Sequence, residues 1–187
     1  MKKKLIVIAV IVACIALVSL GTSAYFTTES TARNVITTGN IDIELHEVTD
    51  QVDENGEPLP FEDVEGVMPG TSVSKIVTIE NTGANEAWVR IKADKVITLS
   101  EEGEADLDLI SMDFNTEKWT EKDGYYYYNE KLAPGAETEP LFTQVTFAEE
   151  MHNLYQGCTA TVTVKAQGTQ VANNGASAIE ALGWSAE

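Results

Sequence analysis

Two segments of the sequence alternate between apolar and polar residues, and this period of two constrains the fold more than any other feature. Residues 41–46 alternate isoleucine or leucine with acidic residues and a histidine, and residues 158–166 alternate small apolar residues with threonine or lysine. Successive side chains of a β-strand point to opposite faces of a sheet. Each segment therefore predicts a strand with one buried and one exposed face, and we expect a β-sheet fold.

A further pair of strand-like segments follows in the middle of the chain. Residues 72–80 and 87–99 are rich in Val, Ile, Thr and Trp, and a cluster of Asn, Thr and Gly at 81–85 separates them. Such a cluster between two β-prone runs is typical of a turn. The pattern predicts that the two segments form a hairpin.

Pairs of turn residues mark other chain reversals. Pro69-Gly70 and Pro134-Gly135 each precede a strand-like run. Each pair predicts a turn, because proline fixes one turn dihedral and glycine accepts a positive φ. Asp123-Gly124 precedes Tyr125–Tyr128 and predicts a tight hairpin. Asn55-Gly56 lies in acidic, proline-rich sequence, where we expect a long loop.

These signals together predict an all-β protein, an antiparallel sandwich of about eight strands with turns at roughly 8–12-residue spacing. The one helical candidate is a short C-terminal helix over residues 176–184, which follows an Asn-Asn-Gly break. We divide the chain into a signal peptide (1–24), an N-terminal arm (25–40) and a β-sandwich domain (41–187).

The N-terminus predicts an export signal that is removed. Three lysines precede an apolar run at residues 5–20, and Thr22-Ser23-Ala24 offers the small residues that a signal peptidase reads. We place the cleavage between Ala24 and Tyr25. One alternative is an uncleaved anchor, although the apolar run is shorter than the roughly 20 residues that span a bilayer. Another is lipidation at Cys14.

Charge excludes one class of partner. The chain has a formal net charge of −18, and removal of the three signal lysines makes it −21. Nucleic-acid binding requires clustered positive charge, so no nucleic-acid partner is expected. Only Cys158 remains after cleavage, so the exported domain forms no internal disulfide and must rely on its apolar core.

The residues that carry catalysis in other proteins do not form a recognisable pattern in this chain. Residues 46–50 begin like the zinc-protease motif His-Glu-x-x-His but end in aspartate, and the other histidine, His152, is remote in sequence. Cys158 lies on the apolar side of a predicted strand and is interpreted as a core residue. The acidic clusters lack the spacing of a calcium-binding loop. We predict no catalytic residue, no metal ligand and no cofactor.

An aromatic cluster is the candidate binding surface. It consists of Trp119 and the four consecutive tyrosines Tyr125, Tyr126, Tyr127 and Tyr128. Such a cluster is a platform for a carbohydrate or a peptide. On a strand, however, two of the tyrosines face each side, so we expect one pair to enter the core and the other to cover the sheet or a neighbouring subunit.

Two regions of the sequence carry a resemblance to a known family. The apolar run is followed by Gly-Thr-Ser-Ala-Tyr-Phe-Thr at 21–27 and by Thr-Gly-Asn-Ile-Asp-Ile-Glu-Leu at 38–45. These motifs resemble the export signal and first strand of the TasA/camelysin family of secreted bacterial proteins. The stretch from residue 68 to residue 91 is similar to other exported proteins that share this signal, as are Trp119, residues 123–126 and Pro134-Gly135.

The resemblance implies processing by a signal peptidase of the endoplasmic-reticulum type and a jelly-roll-like sandwich. In fibre-forming members it implies that the mature N-terminal segment leaves its own subunit and completes the sheet of the next one. The camelysin branch is described as metalloproteases, and that activity would require the paired histidines that residues 46–50 lack.

The N-terminal arm supports the fibre interpretation independently. After Tyr25 and Phe26 it is polar and threonine-rich, with Val35 and Ile36 as isolated apolar anchors and no turn signal that ties it back. Such a segment can add to an open sheet edge.

We therefore predict a secreted structural protein of the cell surface or biofilm matrix that forms fibres by strand donation. Its partners are other copies, the signal peptidase during export and other matrix components, and it meets the membrane only through the uncleaved signal. The alternatives are a monomeric surface adhesin or ligand-binding module that uses the aromatic cluster, and a camelysin-like secreted metalloprotease.

Overall fold

The computed structural model describes residues 26–30, 34–37, 41–62 and 64–185. Strands account for most of the regular structure in this part of the chain. They are β1 (Phe26–Ser30), β2 (Asn34–Thr37), β3 (Glu44–Val52), β4 (Pro58–Pro60), β5 (Val64–Val67), β6 (Ser72–Ser74), β7 (Ile76–Glu80), β8 (Ala87–Thr98), β9 (Ile110–Met112), β10 (Trp119–Lys122), β11 (Tyr125–Tyr128), β12 (Gln144–Phe147) and β13 (Thr159–Gln170). The prediction of an all-β protein is confirmed.

The main sheet has the strand order β10-β11-β8-β13-β1-β5, and β2 also pairs with β13. At its centre β8 and β13 pair antiparallel from Thr98 opposite Thr159 to Ala87 opposite Gln170. The inward residues of β13 are small, and Val162 is only 1% exposed. The strand predicted from the alternation at 158–166 is therefore confirmed.

The second layer consists of two three-stranded sheets, β4-β3-β7 and β6-β12-β9. Backbone hydrogen bonds join them, because Val77 N donates to Phe142 O (3.1 Å) and Leu141 N donates to Val77 O (2.9 Å). The core contains buried side chains from the main sheet, such as Val89, and from the second layer, such as Phe147. The two layers thus pack face to face as a sandwich.

The alternation at 41–46 is also confirmed, because Ile41, Ile43 and Leu45 are all buried in this core. Asp42 and Glu44 between them are exposed. This segment enters β3, so it brings the first long strand of the second layer onto the core directly after the N-terminal arm.

The predicted hairpin of residues 72–80 and 87–99 is wrong. Strand β7 pairs with β3 in the second layer, whereas β8 pairs with β13 and β11 in the main sheet. The intervening segment crosses between the layers around the buried Asn81, whose Nδ2 donates to Asn85 O and Leu132 O, both at 2.8 Å. Turn chemistry predicted the reversal but not the change of sheet.

The structure corrects two further details. The described residues form thirteen strands, more than the eight predicted, partly because the run 72–80 divides into β6 and β7 at Lys75. The C-terminal candidate 176–184 forms only the 3₁₀ turn Ala178–Glu180. A segment this short does not sustain an α-helix by itself, and here it is held flat against the main sheet by its side chains.

Turn chemistry was correct where it involved glycine at a positive φ. Asp123 and Gly124 have φ values of 54° and 77° and connect β10 with β11 as a tight hairpin. Gly70 and Gly135 also have positive φ. The long loop expected at Asn55-Gly56 is instead the turn of a short hairpin, because β3 and β4 pair from Val52 opposite Pro58 to Val48 opposite Pro60.

Candidate assembly site

The N-terminal arm lies along β13 of its own chain. Strand β1 runs parallel to β13 with Thr27 opposite Thr159, and β2 continues parallel to it with Asn34 opposite Lys165. On its other side β1 pairs antiparallel with β5, where Phe26 is opposite Val67. The arm therefore occupies a slot between two strands of the main sheet, β13 and β5.

The arm pairs with β13 in a different register in β1 than in β2, and the pairing of β1 with β5 has its own register shift between Phe26 and Thr28. Ser30 is opposite Val162 and Asn34 is opposite Lys165, so the arm advances four residues while β13 advances three. The difference of one residue falls between the two described strands. Of the anchors predicted from sequence, Val35 is opposite Ala166 and Ile36 is opposite Gln167. The predicted cleavage site Ala24-Tyr25 and the predicted signal peptide lie outside the described residues.

The end of this slot is closely packed. Gly168 is opposite Thr37 at the last pair of β2 and β13. A Cβ at Gly168 would lie 3.1 Å from Ile41 Cγ2 and 3.2 Å from Ile43 Cδ1. Glycine at this position therefore lets the first residues of the sandwich domain pack directly over the end of β13.

A half-open cavity of about 640 Å³ lies beside the same end of β13. Its lining combines apolar residues, including Ile41 and Val171, with Glu86 and Lys131. The Lys131 ammonium and the Glu86 carboxylate are 3.9 Å apart and both side chains are about half exposed. The cavity is adjacent to the point where the arm joins the domain.

The aromatic cluster divides between the two faces of the main sheet. Tyr126 stacks on Phe114 with ring centroids 4.2 Å apart, and Tyr128 lies 5.0 Å from Trp119, both within the core. Tyr125 and Tyr127 face outward, where the C-terminal segment packs on them. The expected division into a core pair and a covering pair is observed.

Arg90 organises the outward half of this cluster. Its Nε donates to Gln167 Oε1 (2.8 Å) and its Nη1 donates to the Tyr127 hydroxyl (2.9 Å). The guanidinium also lies 3.8 Å from the centre of the Tyr125 ring and 4.6 Å from that of Trp184. The outward tyrosines therefore contact an arginine and a tryptophan of their own chain.

A polar network borders the core half. The Tyr128 hydroxyl donates a hydrogen bond to Glu139, and Lys118 Nζ lies 2.8 Å from Glu130 and 3.1 Å from Glu139. Burial of the phenol, assisted by the hydrogen bond to Glu139, raises the pKa of Tyr128 to about 12. The tyrosine thus remains a neutral donor at any physiological pH.

His46 lies among carboxylates on the outer side of the β3-β7 pair. Its Nδ1 is 3.2 Å from Glu137, while its Nε2 is 3.6 Å from Glu80 and 3.9 Å from Glu44. The carboxylates thus approach different nitrogens of the ring. Among the described residues no group of three or more His, Cys, Asp or Glu side chains could hold a metal ion. His152 instead lies beside Tyr155.

Cys158 is enclosed in the core and is 1% exposed. Burial raises the pKa of its thiol to about 11, because an apolar environment disfavours the thiolate. The thiolate is the reactive form of cysteine. This position therefore serves packing, as the sequence predicted.

One buried ion pair was not predicted from the sequence. Lys75 Nζ lies 2.7 Å from Glu47 Oε1, with the two side chains 0% and 7% exposed, and 3.9 Å from the centre of the Phe61 ring. A signal for it was present, because Lys75 has the same parity as the inward residues Val77 and Ile79. Glu47 likewise has the parity of Leu45.

The fold and the site together define an all-β sandwich protein whose N-terminal segment supplies strands to a slot at the side of the main sheet. Residues 1–122 match the family described as camelysin metallo-endopeptidase, and the chain belongs to that family. No curated protein and no solved structure matches the chain. Within the described residues no helix is long and apolar enough to cross a membrane.

Proposed function

We propose that this protein is an exported structural component of the bacterial cell surface or biofilm matrix, and that it assembles by donating its arm, residues 25–40, to the next copy. The observation that carries the proposal is the slot between β13 and β5, where β1 pairs on both of its sides. A strand in such a slot is held by backbone pairing. It can therefore come from another copy as well as from the same chain.

The connection between arm and domain sets how close two copies must be. Three residues, 38–40, separate the last residue of β2 from Ile41. Fully extended, that connection bridges roughly 14 Å. A donated arm would therefore bring its own domain into direct contact with the end of β13 that carries the cavity lined by Glu86 and Lys131.

Processing controls when the arm is free to be donated. Before cleavage between Ala24 and Tyr25 the arm is continuous with the apolar signal, and the signal peptidase is a partner only during export. After cleavage the arm can exchange its place on β13 for the same place on another copy. Other matrix components remain candidate partners of the finished assembly.

The test compares the mature chain beginning at Tyr25 with a chain beginning at Ile41, by size-exclusion chromatography and electron microscopy. We expect fibres or multimers from the longer chain and a folded monomer from the shorter one. Multimers from the shorter chain, or an unfolded shorter chain, would refute strand donation. A longer chain that stays monomeric and binds a glycan or peptide would favour the adhesin alternative.

The family description supports a second candidate, a secreted metallo-endopeptidase. His46 is the residue to test, because several carboxylates surround it. We expect the purified protein to lack chelator-sensitive proteolysis and the variant His46→Ala to stay folded. Stoichiometric zinc together with proteolysis that His46→Ala abolishes would establish the enzyme and overturn the purely structural function.

A further inference from the structure

Two Asn-Gly pairs occur in the described part of the chain, Asn55-Gly56 and Asn174-Gly175. Chemically they are equivalent, but the fold places them in opposite environments. We propose that Asn55 is a site of spontaneous deamidation, in which the backbone of Gly56 is the nucleophile, and that the fold protects Asn174 from the same reaction.

The reaction is intramolecular and needs only water. The backbone nitrogen of Gly56 attacks Cγ of Asn55 and loses its proton. The Cγ–Nδ2 bond breaks and ammonia leaves, which produces a five-membered imide. Water then adds to either imide carbonyl and gives aspartate or isoaspartate at position 55. Glycine favours the attack because it has no side chain to obstruct the approach.

Asn55 lies at the exposed tip of the β3-β4 hairpin. Its side-chain amide makes a single hydrogen bond, from Nδ2 to Asp53 Oδ2 at 3.2 Å, and both partners are exposed to water. A Cβ placed on Gly56 would have no heavy atom within 4 Å. The Gly56 nitrogen donates to Asp53 O at 3.1 Å. The attack therefore breaks this bond and one exposed side-chain hydrogen bond, and it displaces no packed group.

Asn174 is held on both sides of its amide. Nδ2 donates to Gln170 O (2.9 Å) and Leu182 O (3.0 Å), and Oδ1 accepts from Leu182 N (2.8 Å) and Gly175 N (3.0 Å). These bonds connect the end of β13 to the C-terminal segment. The amide cannot rotate without separating the two.

The backbone around Gly175 is equally restricted. A Cβ there would lie 2.6 Å from the carbonyl carbon of Glu180, so Gly175 packs directly on that turn. The imide would require both Asn174 and Gly175 to leave this arrangement. Because the imide at Asn174 requires more hydrogen bonds to break and a packed turn to open, we expect Asn55 to react at least about ten times faster, which corresponds to about 1.4 kcal/mol of barrier.

Modification would alter the turn of the hairpin. The Asp53 carboxylate accepts hydrogen bonds from the backbone N–H groups of Asn55 (2.7 Å) and Glu57 (3.0 Å) and from the side-chain Nδ2 of Asn55. A carboxylate at position 55 would remove the side-chain donor and place a second negative charge beside Asp53. Isoaspartate also inserts a methylene into the backbone between Val52 and Pro58, which are opposite each other. The β3-β4 pairing should therefore loosen with age while the rest of the sandwich is unchanged.

The experiment incubates the purified mature chain at mildly alkaline pH, in parallel folded and unfolded in urea, and quantifies deamidation at both sites by peptide mass spectrometry. We expect at least about tenfold more conversion at Asn55 than at Asn174 in the folded chain, and similar conversion at both in urea. Equal conversion in the folded chain, faster conversion at Asn174, or no conversion at Asn55 overturns the proposal.

The variant Asn55→Gln is the matched control, because its longer side chain would have to form a six-membered ring. Deamidation adds one negative charge, so the aged natural chain should show a more acidic species in native ion-exchange chromatography. We expect this species to be absent from the aged variant. If the acidic species accumulates in Asn55→Gln as in the natural chain, the modification lies elsewhere and the proposal is wrong.

Discussion

The Lys75–Glu47 pair is the most demanding feature at the scale of single residues. Transferring two charges from water into a core costs several kcal/mol per ion, and the attraction between the charges offsets this desolvation cost only when their geometry is good. The contact with Phe61 and the distance of 2.7 Å between Nζ and Oε1 supply that geometry. The pair ties β3 to the junction of β6 and β7.

Removing one partner of this pair should cost more than removing both. We expect Lys75→Met to lower the free energy of unfolding by about 3–5 kcal/mol, because Glu47 keeps a buried charge without its ammonium partner. The double variant Glu47→Leu with Lys75→Met should recover most of this loss. Urea unfolding of the three proteins measures both values. A double variant as unstable as Lys75→Met would show that the pair itself stabilises the fold.

Asp113 should make stability depend on acid pH. Burial raises its pKa, but hydrogen bonds from the Thr143 hydroxyl and from the amides of Gln144 and Thr143 outweigh burial, so its pKa lies below the usual 3.8. The stabilisation is present above that value and is lost as pH falls through the lower folded pKa. Asp113→Asn should therefore be less stable near neutrality and equal in strong acid. Unfolding curves across that range decide it, and a constant difference would contradict the assignment.

The sequence predicted individual residues well where parity alone decides their environment. Ile41, Ile43, Cys158 and Val162 are buried because a period of two leaves one face for the core. Lys75 was missed because its parity predicts a buried position whereas its charge predicts an exposed one. A sequence does not reveal which carboxylate will pair with a buried ammonium. Arg90 was missed for a different reason: its outward parity predicted an exposed side chain, and the sequence does not show that the C-terminal segment covers that face.

At the scale of elements, the C-terminal segment 171–185 replaces the predicted helix as a cover over the main sheet. Trp184 packs on Arg90 and lies edge-on to Tyr127 at 5.9 Å. Ala178 and Ala181 are buried against Trp88 in the same cluster. The aromatic hairpin and the segment that covers it form a small second core on the outer face.

This cover should depend on its tryptophan. We expect Trp184→Ala to lower the free energy of unfolding by roughly 1–3 kcal/mol, through lost apolar burial and lost contact with the Arg90 guanidinium. Leu182→Ala is the matched control, because Leu182 is 77% exposed and should change little. Chemical denaturation compares the two. Equal effects would mean that Trp184 does not hold the segment in place.

The arm is the element on which assembly should depend. Proline at both Val35 and Ile36 removes two backbone donors and both predicted anchors, so we expect Val35→Pro with Ile36→Pro to block multimers. The thermal midpoint of the monomer should not fall, because the core begins at Ile41. Proline at Glu101 and Glu102, in an exposed loop, controls for proline content. Fibres from the arm variant, seen by electron microscopy, would disprove donation.

Elements were predictable where their signal is local. The β10-β11 hairpin follows from Asp123-Gly124, which fixes two consecutive positive φ values. The partner of β7 was not predictable, because β3 and β7 are neighbours in the sheet but lie about 30 residues apart in the sequence, and no short-range residue pattern records that contact. The place of the arm beside β13 is a long-range contact of the same kind.

At the scale of the whole molecule, charge opposes close packing of copies. The formal net charge is −18, and the proposed removal of residues 1–24 would make it −21. Such a charge repels other copies of the chain, and salt screens that repulsion. We therefore expect multimers to form faster at higher ionic strength, and at acid pH as carboxylates near pKa ~4 become neutral. Light scattering across a salt series tests this. Assembly that weakens with salt would indicate that attraction between opposite charges holds the copies together.

The fold class could be predicted because the alternation of apolar and polar residues decides it. The net charge could be predicted because it depends only on the count of charged residues. The sandwich's internal connections depended on which apolar faces meet, and that choice is made by the packing of the whole core. The same limit applies to the arm, whose polar composition indicated a strand that adds to an open edge, whereas β1 lies between β13 and β5.

The one-residue offset between the registers of β1 and β2 along β13 bears on how β13 would distinguish its own arm from foreign strands. A peptide one residue shorter in this interval could match the register of β1 or of β2 but not of both, and the mismatched half would turn its side chains to the wrong face. The number of residues between the two paired segments would then decide which strands β13 accepts. A matrix rich in threonine-bearing, strand-forming segments could hold many competitors of suitable chemistry, and few of them would have the correct length.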